Sequence, residues 1–135
     1  MKCVIIVDQT LPPGLLANAA AVLALSIGCK FNEIVGEAVA DKDGGMHAGI
    51  TQLPIPILRG DNELIHAIRA KLVAKPSPEL YFVDFCDVAQ RSRHYSQYQA
   101  ALRKTTTAQL TYLGLAICGP EPDVTSLTGH IGLLR

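Results

Sequence analysis

The hydrophobic residues of this chain fall into short runs separated by polar, proline and glycine corners, and the opening run is the most regular. Residues 3–7 are all apolar and stand between a lysine and an aspartate, a pattern that indicates a strand buried on both faces. Residues 15–27 contain only two polar side chains, which predicts a helix that begins near Pro13 and ends near Gly28. Because such a helix is apolar on nearly every side, we expect it to be covered on two sides at the centre of the fold.

The middle of the chain predicts a hairpin followed by an edge strand. An Asp-Gly turn at residues 43–44 separates two extended runs, so residues 34–40 are expected to pair with the run after Met46. Two prolines then stand two residues apart within residues 52–58, and neither nitrogen can donate a hydrogen bond to a neighbouring strand. This run is therefore expected to have one unpaired side, at an edge or a bulge of a sheet or where another chain or ligand approaches.

The remainder of the chain alternates helices with strands, which predicts an α/β fold. Asp61 is expected to cap an amphipathic helix that ends before Pro76 and carries His66 on its solvated side. Residues 90–110 predict a single long helix, weakened at its end by three successive threonines. The other predicted elements are strands at residues 80–83, 111–118 and 130–134 and a short helix that begins near Pro122.

The composition indicates one domain without a strong preference for a charged partner. The chain has 135 residues, enough for a single domain spanning residues 1–135, and its 12 basic residues balance 12 acidic ones. Residues 90–110 nevertheless combine basic residues and tyrosines without an acidic residue. The basic residues are Arg91, Arg93, His94, Arg103 and Lys104. Such a run can contact a phosphate backbone but is more typical of a solvated face, so nucleic acid is not the favoured partner.

The cysteines and histidines lack the spacing of a metal site. Cys3, Cys29, Cys86 and Cys118 are scattered without a C-x-x-C pair, and we interpret them as small buried hydrophobes in a reducing compartment. We therefore predict no metal site, and the sequence gives no indication of a cofactor. No uninterrupted apolar run of spanning length and no signal-peptide pattern is recognised, so we expect a cytosolic protein without membrane contact.

Candidate chemistry lies at two strand ends, where ligands gather in open α/β sheets. Asp84 and Asp87, with a cysteine between them, follow the strand at residues 80–83. The first strand leads into a helix whose first backbone N–H groups have no partner within the helix, which makes a general anion site. The candidate ligand-binding residues at this corner are Asp8, Gln9, Pro13, Gly14 and Asn18. Alternatively, Asp8 only caps a turn and Asn18 only bonds the preceding loop.

Both ends of the chain resemble a known family. Val4-Ile5-Ile6-Val7, with the polar corner and alanine-rich helix after it, resembles the start of the type II peptidyl-tRNA hydrolases of archaea and eukaryotes, and Leu127-Thr128-Gly129-His130 resembles their end. Residues 8–21 and Val35-Gly36-Glu37 resemble more closely an uncharacterised bacterial family, domain of unknown function two thousand. The resemblance implies a three-layer α/β/α sandwich, on a mixed central sheet of four or more strands, in a homodimer.

The same resemblance bears on chemistry. In the hydrolases a lysine at the corner is tied to activity or substrate binding, and this chain has no lysine there. The family's catalytic aspartate corresponds to Asp84 or Asp87, and its threonine to Thr111. Two hypotheses follow: a binding or regulatory domain for a small anionic ligand or a protein partner, or a hydrolase of peptidyl-tRNA or another carbonyl ester. The hydrolase would use Asp84 or Asp87 as general base, and the missing lysine favours the binding domain.

Overall fold

The computed structural model describes all 135 residues, Met1–Arg135, and contains six strands and five α-helices. The strands, in chain order, are β1 (Lys2–Asp8), β2 (Val39–Ala40), β3 (Met46–His47), β4 (Ile57–Gly60), β5 (Tyr81–Cys86) and β6 (Tyr112–Gly119). The helices are α1 (Pro13–Lys30), α2 (Asn62–Ala74), α3 (Asp87–Arg91), α4 (Tyr95–Arg103) and α5 (Glu121–Thr128), with single 3-10 turns at Asn32–Ile34 and Thr107–Gln109.

Four strands form one mixed sheet in the order β4-β1-β6-β5. β1 runs parallel to β4, and β6 runs antiparallel to both β1 and β5. The two central strands are the most apolar runs of the chain, and every residue of β6 is buried. Because β1, β4 and β5 point the same way, their last residues and the first residue of β6 lie along one edge. We refer to this edge as the carboxyl edge; its position follows from the strand directions.

Helices cover both faces of the sheet, so the domain is a three-layer α/β/α sandwich. On one face, Ala19, Leu23 and Ile27 of α1 pack with inward residues of β1 and β6. On the other face, α2 and α5 pack through Ile65 and Val124, among other apolar residues, against the opposite side of the same strands. The alternation of side chains along each strand supplies one apolar set to each face. The mixed four-stranded sheet and the α/β class agree with the sequence-based prediction.

The expectation that α1 is covered on two sides is wrong for this chain. A stripe with helical spacing, Ala19, Leu23 and Ile27, is fully buried against the sheet, whereas Leu25 on the outer side is 76% exposed. The close approach of the stripe depends on Gly114 of β6, where an added Cβ would lie 2.7 Å from Leu23 Cδ1. The alanines allow the helix to lie near the sheet, but they do not demand a second partner.

On length and composition alone, α1 is also apolar enough to cross a membrane, which differs from the sequence-based expectation. Buried core helices and N-terminal signal sequences share those two properties. The feature is therefore weak evidence for a membrane span.

The two edge strands of the sheet, β4 and β5, differ in whether another segment of the chain pairs with their outer side. The proline-containing run precedes β4, which is an edge strand as expected, and the chain end covers it: Arg59 N–H donates to Gly132 O at 2.9 Å, and Leu134 N–H donates to Ile57 O at 2.9 Å. No backbone group of another element bonds to the outer side of β5. The predicted hairpin is confirmed as the β2–β3 pair, separate from the main sheet.

One of the helix predictions in the second half of the chain needs correction. The predicted helix over residues 90–110 is interrupted after Arg91 and resumes at Tyr95, with Ser92 Oγ donating to Val88 O at 2.8 Å and His94 in extended geometry. Hydrogen bonds from a serine side chain to the backbone compete with continuation of a helix, and the periodicity of apolar residues does not show this competition.

Helix α2 begins after Asp61, whose carboxylate accepts from Leu64 N–H at 2.8 Å, as predicted.

The uniform interpretation of the cysteines as buried thiols is also wrong. Cys3 and Cys118 face each other across β1 and β6 and form a disulfide, with their Cα atoms 4.2 Å apart. Cys29 is an exposed thiol, and Cys86 is a buried thiol. The register of β1 and β6 brings Cys3 opposite Cys118. Because the two cysteines are 115 residues apart in the sequence, their spacing gives no indication of this pairing.

Candidate functional site

Asp87 and Thr111 meet at the carboxyl edge, where β5 ends and β6 is about to begin. The Asp87 N–H donates to Thr111 O at 2.9 Å, and Thr111 N–H donates to Asp87 Oδ1 at 3.1 Å. The β5–β6 register shifts between Phe85 and Cys86, and such irregularities re-aim the residues that follow them. The structure thus brings together two of the three residues that the sequence analysis assigned to catalysis.

Arg91 completes this arrangement, one helical turn after Asp87. Its Nη1 donates to Asp87 Oδ2 at 2.9 Å, while the Arg91 side chain is 68% exposed. Most of the guanidinium N–H groups therefore remain free toward solvent. In the sequence Arg91 is one member of a basic run, and the signal for its role is the i,i+4 Asp–Arg pair directly after a strand.

The pKa of Asp87 is set by two opposing influences. Burial by itself would raise it, but the hydrogen bonds from Thr111 N–H and from Arg91, together with the Arg91 charge, outweigh burial and lower the pKa below its usual value. The carboxylate is therefore held in its ionised form. A general base works best with a pKa near the working pH, so this shift disfavours Asp87 in that role.

We expect the ion pair at Asp87 to make stability fall at acid pH. Because the folded pKa lies below the unfolded value of about 3.9, the stabilisation is complete above that value and is lost as pH falls through the folded pKa. Urea unfolding of wild type and Asp87→Asn between about pH 6 and pH 2.5 measures this. The stability gap between the two should narrow on acidification, and a gap independent of pH would contradict the assignment.

The corner after β1 contains the five candidate ligand-binding residues. Asp8 Oδ1 accepts from Thr10 N–H at 2.9 Å and from Thr10 Oγ1 at 2.7 Å, so this carboxylate caps its own turn. Gln9 N–H donates to Gly60 O at 3.0 Å, which fixes the corner to the end of β4. Pro13 and Gly14 form the exposed first turn of α1. The turn-capping alternative for Asp8 therefore agrees with the observed contacts.

Asn18 connects this corner to α3. Its Nδ2 donates to Gln90 Oε1 at 3.4 Å, a long contact between two exposed side chains. The contact joins α1 to the helix that carries Arg91, rather than to the loop that precedes α1. Asn18 and Gly14 therefore share the carboxyl edge with Asp87, Arg91 and Thr111.

Asp84 lies within β5, which extends to Cys86, and not after a strand end as predicted. Its side chain lies apart from these residues, on the α2 face of the sheet. Its Oδ2 accepts from Arg69 Nε at 2.9 Å, and the Arg69 guanidinium carbon lies 5.5 Å from the centre of the Tyr112 ring. His66, expected to be solvated, packs its ring 4.6 Å from the same tyrosine ring and donates to Leu110 O at 2.8 Å. Burial first, and the Asp84 charge second, raise the pKa of Tyr112, whose hydroxyl has no partner. This cluster ties α2 to the sheet.

Asp84 also lines a cavity of about 320 Å³ beside the outer edge of β5, which we call the β5 groove. Its walls are Val22 and Ser26 of α1, the β5 edge at Val83–Phe85, and residues 92–95 with Tyr98. None of the corner residues, nor Asp87 or Thr111, lines this groove. The candidate catalytic residues thus belong to two places, Asp87 and Thr111 to the carboxyl edge and Asp84 to the groove.

Comparison with known proteins gives a family and a fold. The model of a family described as a protein of unknown function (DUF2000) matches residues 1–135. No curated protein matches the chain. Among solved structures, a protein of unknown function from Agrobacterium tumefaciens is similar, with a TM-score of 0.86 at 18% sequence identity over 99% of this chain and 97% of that one. At this identity the likeness extends to the fold alone.

Proposed function

We propose that this chain, which belongs to the DUF2000 family of proteins of unknown function, is a domain that binds a small anionic ligand at its carboxyl edge. The observation that carries the proposal is the uncapped start of α1, on the edge to which Arg91 also belongs. A regulatory role without turnover would need only this binding.

The first turn of α1 leaves backbone donors free. Pro12 stands at the N-cap without a side-chain hydrogen bond, and Pro13 has no N–H. Leu16 N–H donates to Pro12 O at 3.0 Å, which leaves the N–H groups of Gly14 and Leu15 without a partner. A Cβ added at Gly14 would meet no atom within 4 Å, so a ligand can approach. Free N–H groups at the positive end of a helix favour anions.

Arg91 supplies a cation at the same edge. Arg91 donates one N–H to Asp87, and the rest of its guanidinium faces solvent. The planar guanidinium can form paired hydrogen bonds with the oxygens of a carboxylate or a phosphate. The Asn18–Gln90 contact joins its helix to α1. The edge therefore offers a fixed cation and free amides, which supports an anionic ligand.

The two aspartates support binding more than hydrolysis. Arg69 pairs with Asp84, and Arg91 and Thr111 bond the carboxylate of Asp87. The contacts to Asp87 lower its pKa and hold it ionised, which weakens it as a general base.

The test is a thermal-shift screen with inorganic phosphate, nucleotides and small carboxylates. A ligand at about one hundred times its Kd adds about 2.7 kcal/mol to the free energy of unfolding and raises Tm. Gly14→Asp should abolish the shift, because its carboxylate occupies the helix start, whereas Gly14→Asn, of the same shape without charge, should retain it. Arg91→Met should weaken it. If no anion stabilises the wild type, or if Gly14→Asp responds like Gly14→Asn, the proposal is wrong.

The alternative is a hydrolase acting on peptidyl-tRNA or another carbonyl ester, and the juxtaposition of Asp87 and Thr111 favours it. Their pairing matches the aspartate and threonine that the resemblance assigns to catalysis. Purified protein incubated with peptidyl-tRNA should then release the peptide, and Asp87→Asn should remove the activity while Asp84→Asn retains it. No release by the wild type, or release that neither Asp87→Asn nor Asp84→Asn affects, would exclude this alternative.

The finer expectations from the sequence are part of the same proposal. These are a type II peptidyl-tRNA hydrolase-like fold, a homodimer and a cytosolic location. Thiol alkylation of protein from intact cells tests the location, because cytosolic thiols are kept reduced and Cys3 and Cys118 would then both react after unfolding.

A further inference from the structure

The outer edge of β5 forms no backbone hydrogen bonds with another element of this chain. The opposite edge of the sheet, at β4, is covered by residues 132–134 through two backbone hydrogen bonds. On β5 no backbone group supplies such cover, and the only charged residue from Tyr81 to Cys86, Asp84, is paired with Arg69. The register shift of this strand comes only at its end, between Phe85 and Cys86. Unprotected edges are templates for an added strand. We propose that the β5 groove binds an extended acidic segment of a partner protein as a fifth strand of the sheet.

The shape of the groove favours a lone strand over a second copy of this chain. The β5 edge lies between a wall from α1, with Val22 and Ser26, and a wall from residues 92–95 and Tyr98. Two copies that paired their β5 edges would bring both sets of walls together at the same place. A single extended segment needs only the space between the walls, and the cavity of about 320 Å³ takes the part of it that lies opposite Val83–Phe85.

The charges around the groove favour an acidic segment. Its one carboxylate, Asp84, is paired with Arg69. Arg93 and His94 line the groove, and neither forms an ion pair with another residue of this chain. Tyr95 and Tyr98, on the same wall with ring centres 5.5 Å apart, add apolar surface for alternate side chains of the bound segment. Strand addition takes affinity from main-chain bonds and selectivity from such side contacts.

The probe for this proposal is a phage-displayed library of random ten-residue peptides, with the wild-type protein as bait. The expected enriched peptides alternate β-branched or aromatic residues with polar ones and contain more acidic than basic residues. The best peptide is then synthesised with a fluorophore, and its Kd is measured by fluorescence polarisation.

Two measurements locate the peptide. Ser26→Glu places a negative charge in the groove wall, and Ser26→Gln, of the same length, does not; we expect at least tenfold weaker binding to Ser26→Glu than to Ser26→Gln. The second measurement uses wild-type protein and two N-methylated peptides, one methylated at the odd-numbered residues and one at the even-numbered residues. Only every second N–H of an added strand faces β5, so one of the two peptides should lose binding and the other should keep it.

Several results would overturn the proposal. These are no enrichment, enrichment of basic peptides, equal binding to the two Ser26 variants, or indifference to both N-methyl series. A wild-type dimer in sedimentation velocity that Ser26→Glu converts to a monomer would instead place a second copy on the β5 edge. None of these outcomes depends on the carboxyl-edge residues, so failure here is distinct from failure of anion binding.

Discussion

Replacing Leu23 by alanine is expected to lower the free energy of unfolding by about 3 kcal/mol, within the range for large-to-small substitutions in a core. Leu23 is fully buried in the layer between α1 and the sheet, and it lies against Gly114. Its truncation takes apolar area out of the core and leaves a cavity that the surrounding side chains close only in part. Urea denaturation measures the loss from the midpoint and slope of the transition.

The matched control is Leu25→Ala, the same substitution two residues further along α1. Leu25 is 76% exposed, so the expected change is within about 0.5 kcal/mol. A loss at Leu25 as large as that at Leu23 in dilute protein would contradict the one-sided packing of the helix.

Replacing Arg69 by alanine is expected to destabilise the fold by about 2 kcal/mol, because it leaves the Asp84 carboxylate without its cation. The side chains of the pair are each about three-quarters buried, at 26% and 23% exposure, so we expect less than the cost at a fully buried pair. Arg69 also packs over the ring of Tyr112, a contact that is lost with it.

A double-mutant cycle tests whether the pair is structural. Asp84→Ala in the Arg69→Ala background should cost clearly less than Asp84→Ala alone, since the partner has already gone. Arg103→Ala, on the exposed end of α4 and without an ion pair, should change stability by no more than about 0.5 kcal/mol. Additive losses in the cycle would mean that Asp84 is not committed to Arg69 and would reopen its role as a base.

The candidate site was predictable only in part. A polar residue at the end of a strand can be read from the chain, so Asp8, Asp84 and Asp87 were recognisable as candidates. Which of them point to the same place depends on side-chain alternation and on register. Asp84 faces α2 and Arg69, while Asp87, beyond the register shift, bonds Thr111, which lies 24 residues away along the chain.

The roles of basic residues were the least predictable. The partner of Arg69 is Asp84 of β5, which comes near only when α2 packs on the sheet. The partner of Arg91 lies four residues away on the same helix, so this pair was open to a local pattern, whereas the contact of Asp87 with Thr111 was not. His66 was expected in water, yet it packs on Tyr112.

The sequence by itself determined the central strand, the alanine-rich helix after it, the hairpin and the Asp61 cap, because each rests on periodicity or turn chemistry within a few neighbouring residues. Only the tertiary structure decided which side of α1 is buried, that Cys3 faces Cys118, that Arg91 holds Asp87 beside Thr111, and that β5 is left open. Those outcomes depend on strand order and register, which are set by contacts between segments far apart in the chain.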